Sequence, residues 1–133
     1  MVCSADKTGK VLSISYSQHV KAAEMSRFLS TIRETLAHVQ PGFLLLTDLT
    51  SLESMEPSCA PILGAIMDLC CAKGISTVIR VIPDPYKETG LNLISRFHLH
   101  PQTKIQTHEN LAEAIKSILA EQGAAPPVEE ASA

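Results

Sequence analysis

The side chains best equipped for chemistry fall in two short stretches of this chain. The first is SMEPSCAP, residues 54 to 61, where Ser58 sits between Pro57 and Pro61 just after an apolar run. A proline ring and its missing N–H are tolerated only in the first turn of a helix. Pro61 therefore predicts a helix that begins near Ser58, with the hydroxyl at the N-cap or the first helical position. Two chemistries compete there. As a cap, Ser58 accepts the N–H of Ala60, which stabilises the helix by about 1 kcal/mol. As an exposed hydroxyl, it is a phosphorylation site where the unpaired N–H groups and the positive dipole end of the helix favour the added charge.

The second stretch is RVIPDPYKETG, with Arg80 at a strand exit, Asp84 between two prolines and Lys87 in the first turn of the next helix. Arg80 and Lys87 with the helix N-terminus suggest an anion or peptide pocket. The alternative is a rigid strand-to-helix turn with Asp84 as cap, and Asp84 would itself occupy part of the positive site.

Other candidates are weaker. His98 and His100, with His108 a short way on, share a face if the segment is extended, but no third ligand stands at a fixed spacing, so a surface or packing role is preferred over a metal. Cys3 and Cys59 lack metal-ligand spacing. The adjacent Cys70 and Cys71 do not suit a disulfide, so all four cysteines read as small apolar residues of a reducing compartment. No Gly-x-Ser-x-Gly elbow surrounds Ser58 and no glycine-rich phosphate loop occurs, so no cofactor is expected. An enzyme would need a cleft that unites Ser58 or Cys59 with a histidine.

Composition narrows the partners. At 133 residues, 45% hydrophobic and 19% charged with a net charge of −3, the chain fits one globular domain without the basic footprint of a nucleic-acid or acidic-membrane binder. No apolar run reaches the roughly 20 residues that span a bilayer, and MVCSADKTGK has no signal-peptide core, which points to the cytoplasm.

The elements that must position these residues alternate. VLSISY (11–16) predicts a first or edge strand with one buried face, and FLLLTDL an interior strand covered on both sides. Between them Met25, Phe28, Leu29, Ile32, Leu36 and Val39 mark a helix that stops before Pro41-Gly42. A second helix from about Ser58 to Lys73 turns Ile62, Leu63, Ile66, Met67 and Cys70 inward and ends at Gly74. ISTVIRVI is a strand, and Asp84-Pro85 opens a third helix through Leu91, Ile94 and Phe97. TKIQTH is a last strand, followed by a helix capped near Thr107 and carrying Leu111, Ala114, Ile115, Ile118 and Leu119. The whole predicts an α/β sandwich with a mainly parallel sheet, whose sites gather at the carboxyl ends of strands.

The stretch from FLLLTDL to ISTVIRV resembles the centre of STAS domains, the family of bacterial anti-sigma factor antagonists and of the cytoplasmic domains of sulfate transporters. Asp48 matches the strand-end Asp of that pattern, Ser58 the serine that antagonists have phosphorylated by a partner kinase, and Gly74 the helix-ending glycine. Glu56 stands where Asp is usual, Pro57 where a first Ser or a similar residue is, and Cys59 where Gly is. RVIPDPYKETGLNLISRFHLH is similar to a stretch shared by a group of small bacterial STAS-like proteins. The resemblance implies an antagonist-type fold over residues 11–120, with about four to five strands and about four helices, between a short lead and a mobile tail from 121.

It also implies a role. The expected function is a non-enzymatic regulator that binds an anti-sigma factor or kinase-like protein through Asp48, Met55, Glu56, Pro57 and Cys59, switched by phosphorylation of Ser58. The alternative is a small-molecule module, with an apolar cavity between the third helix and the sheet and an acidic head group held by Arg80 or Lys87.

Overall fold

The computed structural model describes residues 1–84, 98–99 and 102–122. Five strands form one sheet in the order β1-β2-β3-β4-β5: Val2–Ala5, Val11–Val20, Leu44–Met55, Thr77–Val81 and Lys104–His108. The first pair is antiparallel and the other three are parallel. Helices α1 (Ala22–Leu36), α2 (Ala60–Lys73) and α3 (Leu111–Gln122) cover the sheet, and a 3-10 turn at Pro57–Cys59 precedes α2.

VLSISY is thus neither first nor at the edge, because β1 pairs along its outer side. The β1–β2 turn is closed by Asp6, whose carboxylate accepts the N–H groups of Lys10 and Val11 at 2.8 and 2.9 Å and the Thr8 hydroxyl at 2.6 Å. Alternation along β2 buries Leu12, Ile14 and Tyr16. FLLLTDL is interior as its unbroken apolar run predicts: β3 has β2 on one side and β4 on the other.

The strand runs further than expected, to Met55. β4 pairs only with Leu44–Asp48, so residues 49 to 55 continue alongside β2 as a ribbon with two register shifts, near which Gln18 takes a left-handed φ of 57°. Bulges sharpen local twist.

Two cores sandwich the sheet. Leu12, Ile14, Leu45 and Val78 meet Met25 and Ile32 of α1 and Leu63, Ile66 and Cys70 of α2. On the opposite face Leu44, Ile79 and Val81 meet Ala114 of α3. Helix α2 stops where predicted, at Gly74, whose φ of 100° and N–H bonds to the carbonyls of Cys70 and Cys71 close the last turn.

Helix α3 departs from expectation. Asn110, not Thr107, caps it, accepting the Glu113 N–H at 2.9 Å. Leu111, Ile115 and Leu119 are exposed, so only Ala114 of the predicted apolar set is fully buried. The helix expected from Asp84 through Phe97 and the tail beyond Gln122 lie outside the described residues. Among the described residues no helix is long and apolar enough to cross a membrane.

Candidate functional site

Ser58 lies in the middle of the 3-10 turn, and α2 proper begins at Ala60. The expected cap is not made. Among the described residues the exposed Ser58 hydroxyl has no hydrogen-bond partner, and the residue at the N-cap of α2 is Cys59, without a side-chain cap bond. The physical reason is the proline pair. Pro57 and Pro61 hold the backbone in a tight turn in which Cys59, not Ser58, stands at the helix boundary.

The turn itself is firmly held. Glu56 donates its N–H to the Val20 carbonyl at 3.0 Å, and its carboxylate accepts the Ala22 N–H at 2.8 Å. Helix α1 has Lys21 at its N-cap with no side-chain cap bond, so Glu56, 34 residues away in sequence but adjoining in space, caps α1. A carboxylate at a helix N-terminus also meets the positive end of the dipole. Cys59 donates its N–H to the Glu56 carbonyl at 2.9 Å and points its sulfur at the Val20 carbonyl, 3.8 Å away. At 0% exposure Cys59 belongs to the core, which removes it from the expected partner surface. Burial, and then the Glu56 charge, push its thiol pKa up, away from the thiolate form. The exposed surface left around Ser58 is Glu56, Pro57, Ala60 and Pro61, with Met55 half-buried.

Asp48 does not end a strand and does not join this turn. It sits at the last β4 pairing position, opposite Val81, and its carboxylate accepts both the N–H and the hydroxyl of Thr50. By strand alternation it lies on the α3 face, away from α2.

A constellation that sequence spacing did not signal lies at the ribbon end. His19 Nδ1 is 2.6 Å from Ser54 Oγ and His19 Nε2 is 3.3 Å from Glu53 Oε1. The signal is tertiary: the bulged register places His19 opposite Ser54 across 35 residues. His19 and Glu53 are about two-thirds exposed, so bulk water competes with any reaction there.

Of the second stretch the structure describes Arg80 and Asp84. Arg80 is 2% exposed and faces the α2 side of the sheet, while Asp84 is half-buried and Lys87 lies outside the described residues. The Arg80 side chain therefore belongs to the core, not to a solvent-facing loop. His98 has helical backbone instead of the extended form that would align it with His100. Its ring packs on Gly64, where any Cβ would collide with it, and Nδ1 meets Asp68 at 2.9 Å. His108 instead contacts Ser117 of α3 at 2.8 Å. These two histidines thus serve different faces. Among the described residues no three His, Cys, Asp or Glu side chains are grouped to hold a metal. Burial also raises the Cys70 thiol to about 12, which makes it inert at neutral pH.

No protein-family model matches the chain, and no curated protein does. Solved structures do. One is an uncharacterized protein from the DUF3478 family with a SpoIIAA-like fold from Shewanella loihica, at TM-score 0.64 and 13% identity, covering 87% of this chain and 91% of that one. Another is the anti-sigma factor antagonist SpoIIAA in its unphosphorylated form, at TM-score 0.60 and 13% identity over 92% and 99% of the two chains. The Bacillus cell fate determinant SpoIIAA in its phosphorylated form gives TM-score 0.57 and 15% identity over 88% and 99%. With the five-stranded, mostly parallel sheet and its covering helices, these likenesses establish that this chain has the STAS-like fold of the SpoIIAA-type anti-sigma factor antagonists.

Proposed function

We propose that this chain is a non-enzymatic regulator that docks on a protein partner through the turn at residues 55 to 61, and that phosphorylation of Ser58 sets its state. One observation carries the reading: the Ser58 hydroxyl is exposed and, among the described residues, unbonded, on a turn whose flanking residues are fixed by Glu56 and the Val20 carbonyl. A hydroxyl spent on capping would be less open to a kinase. A rigid turn presents the same surface each time, and a phosphoryl group on it adds charge of about −2 without requiring the helix to unfold. That SpoIIAA has been solved in phosphorylated and unphosphorylated forms supports the proposal. An anti-sigma factor or a kinase of that type is the expected partner, and the cytoplasm the expected compartment.

The test is mass spectrometry of the protein purified from its own cells, together with titration of the co-purified partner against wild type, Ser58→Ala and Ser58→Asp. The expected result is phosphate on Ser58 and a stoichiometric complex weakened at least about tenfold, or 1.4 kcal/mol, by Ser58→Asp. An unmodified Ser58 across growth conditions, with a complex indifferent to Ser58→Asp, would end this reading.

A further inference from the structure

The exposed stripe of α3 and a groove on the other side of the sheet complement one another. Leu111, Ile115 and Leu119 stand four residues apart on one helix face and remain 40%, 45% and 63% exposed. A contiguous apolar stripe left in water marks a contact surface. Carboxylates outnumber ammonium groups around it: Glu109, Glu113 and Glu121 against Lys104 and Lys116. Glu113 holds Lys116 at 3.3 Å and Glu121 holds Lys104 at 3.9 Å, surface pairs of a kind that exchange readily, and Glu109 has no partner among the described residues.

The groove lies between the last turns of α1 and α2. It measures about 310 Å³, its floor is Leu36, Ala37, Leu69 and Ala72, and its rim carries Arg33 and Lys73. One water takes up roughly 30 Å³ of the liquid, so a groove of this size receives side chains. No carboxylate lines it, and neither cation has an ion-pair partner among the described residues.

We propose that α3 of one copy of this chain docks into the α1–α2 groove of a second copy. The stripe supplies the apolar anchors of a helix laid in a groove, and the carboxylates beside it meet Arg33 and Lys73 at the rim. The two surfaces lie on opposite faces of the sheet, so a copy whose groove is filled still presents its own α3. Such a head-to-tail contact continues past the dimer until a ring closes. One helix on a shallow groove belongs to the small, transient class of interface, so assembly depends on concentration and the contact is open at the dilution of an unfolding experiment. The groove is also remote from the Ser58 turn: from Ala22, beside that turn, to Arg33 the axis of α1 runs about 16 Å.

Sedimentation velocity of the full chain over a wide concentration range tests this. Expected is a mean mass that rises with concentration and passes that of a dimer. Leu119→Glu spoils the stripe, and Arg33→Glu combined with Lys73→Glu spoils the groove. Each variant is expected to stay monomeric alone, with its circular-dichroism spectrum unchanged. An equimolar mixture of the two is expected to form a one-to-one heterodimer and stop there, since each supplies the surface that the other lacks, a rescue that mere loss of folding would not give. Four results would overturn the proposal: a wild-type chain monomeric throughout, a mass that halts at the dimer, variants that still self-associate alone, or a mixture that stays monomeric. Ser58→Asp is expected to leave self-association unchanged, so this contact and the Ser58 reading stand or fall separately.

Discussion

The two faces of the sheet are built from similar strand residues yet differ in depth. On one, α1 and α2 together bury Met25, Ile32, Ile66 and Cys70 almost completely. On the other, α3 contributes Ala114 to the fully buried set and leaves Leu111, Ile115 and Leu119 in contact with water, the last at 63% exposure. The same contrast governs polar groups. The deep face traps Arg80 and the Tyr16 phenol, whereas the shallow face pairs its polar side chains near solvent, as in His108 with Ser117 and Lys104 with Glu121. Thickness decides what each face can do, because a charge or hydroxyl gains selective power only where water cannot satisfy it instead.

The contrast breaks first under truncation on the deep face. Ile66→Ala removes a side chain that is 2% exposed and is expected to cost about 2–5 kcal/mol in denaturant unfolding, the range for large-to-small changes in a packed core. Next comes Gly64→Ala, which drives a methyl into the His98 ring. An expected loss of about 1–3 kcal/mol, with faster hydrogen exchange around residues 98 and 99, would show that His98 fastens its segment to α2. Gly64→Ala at wild-type stability would show that the segment yields freely and that the deep face is thinner than it looks. Smallest is Leu119→Ser on the shallow face, expected within about 0.5 kcal/mol of wild type by the same unfolding measurement. A larger loss would mean that this stripe is covered in solution.

Legibility from sequence tracked the same division. FLLLTDL read as an interior strand because an unbroken apolar run needs cover on both sides, and Gly74 read as a helix stop because it tolerates the left-handed φ of 100° that it adopts. The exposed stripe of α3 did not read correctly, since periodicity reports which residues share a face and not whether anything sits on that face. β1 was missed because a short edge strand carries little pattern of its own. At the candidate site, Ser58 was found through Pro61, a local constraint. The partnership of Glu56 with Ala22 was not, because it joins residues 34 apart and depends on where β2 ends against β3. Arg80 was noticed for its charge, yet its burial follows from strand parity, which places it beside Thr47 and across from α2.

The cap that Glu56 places on α1 has a mechanical consequence. A helix of 15 residues is a strut about 22 Å long, and its near end is tied to the turn that holds Ser58. Beyond its far end, the chain is tied again where the N–H of Gln40 reaches the Gly9 carbonyl at 2.8 Å, beside the β1–β2 turn. Helix α1 thus spans from the Ser58 turn at one end to the neighbourhood of the β1–β2 turn at the other.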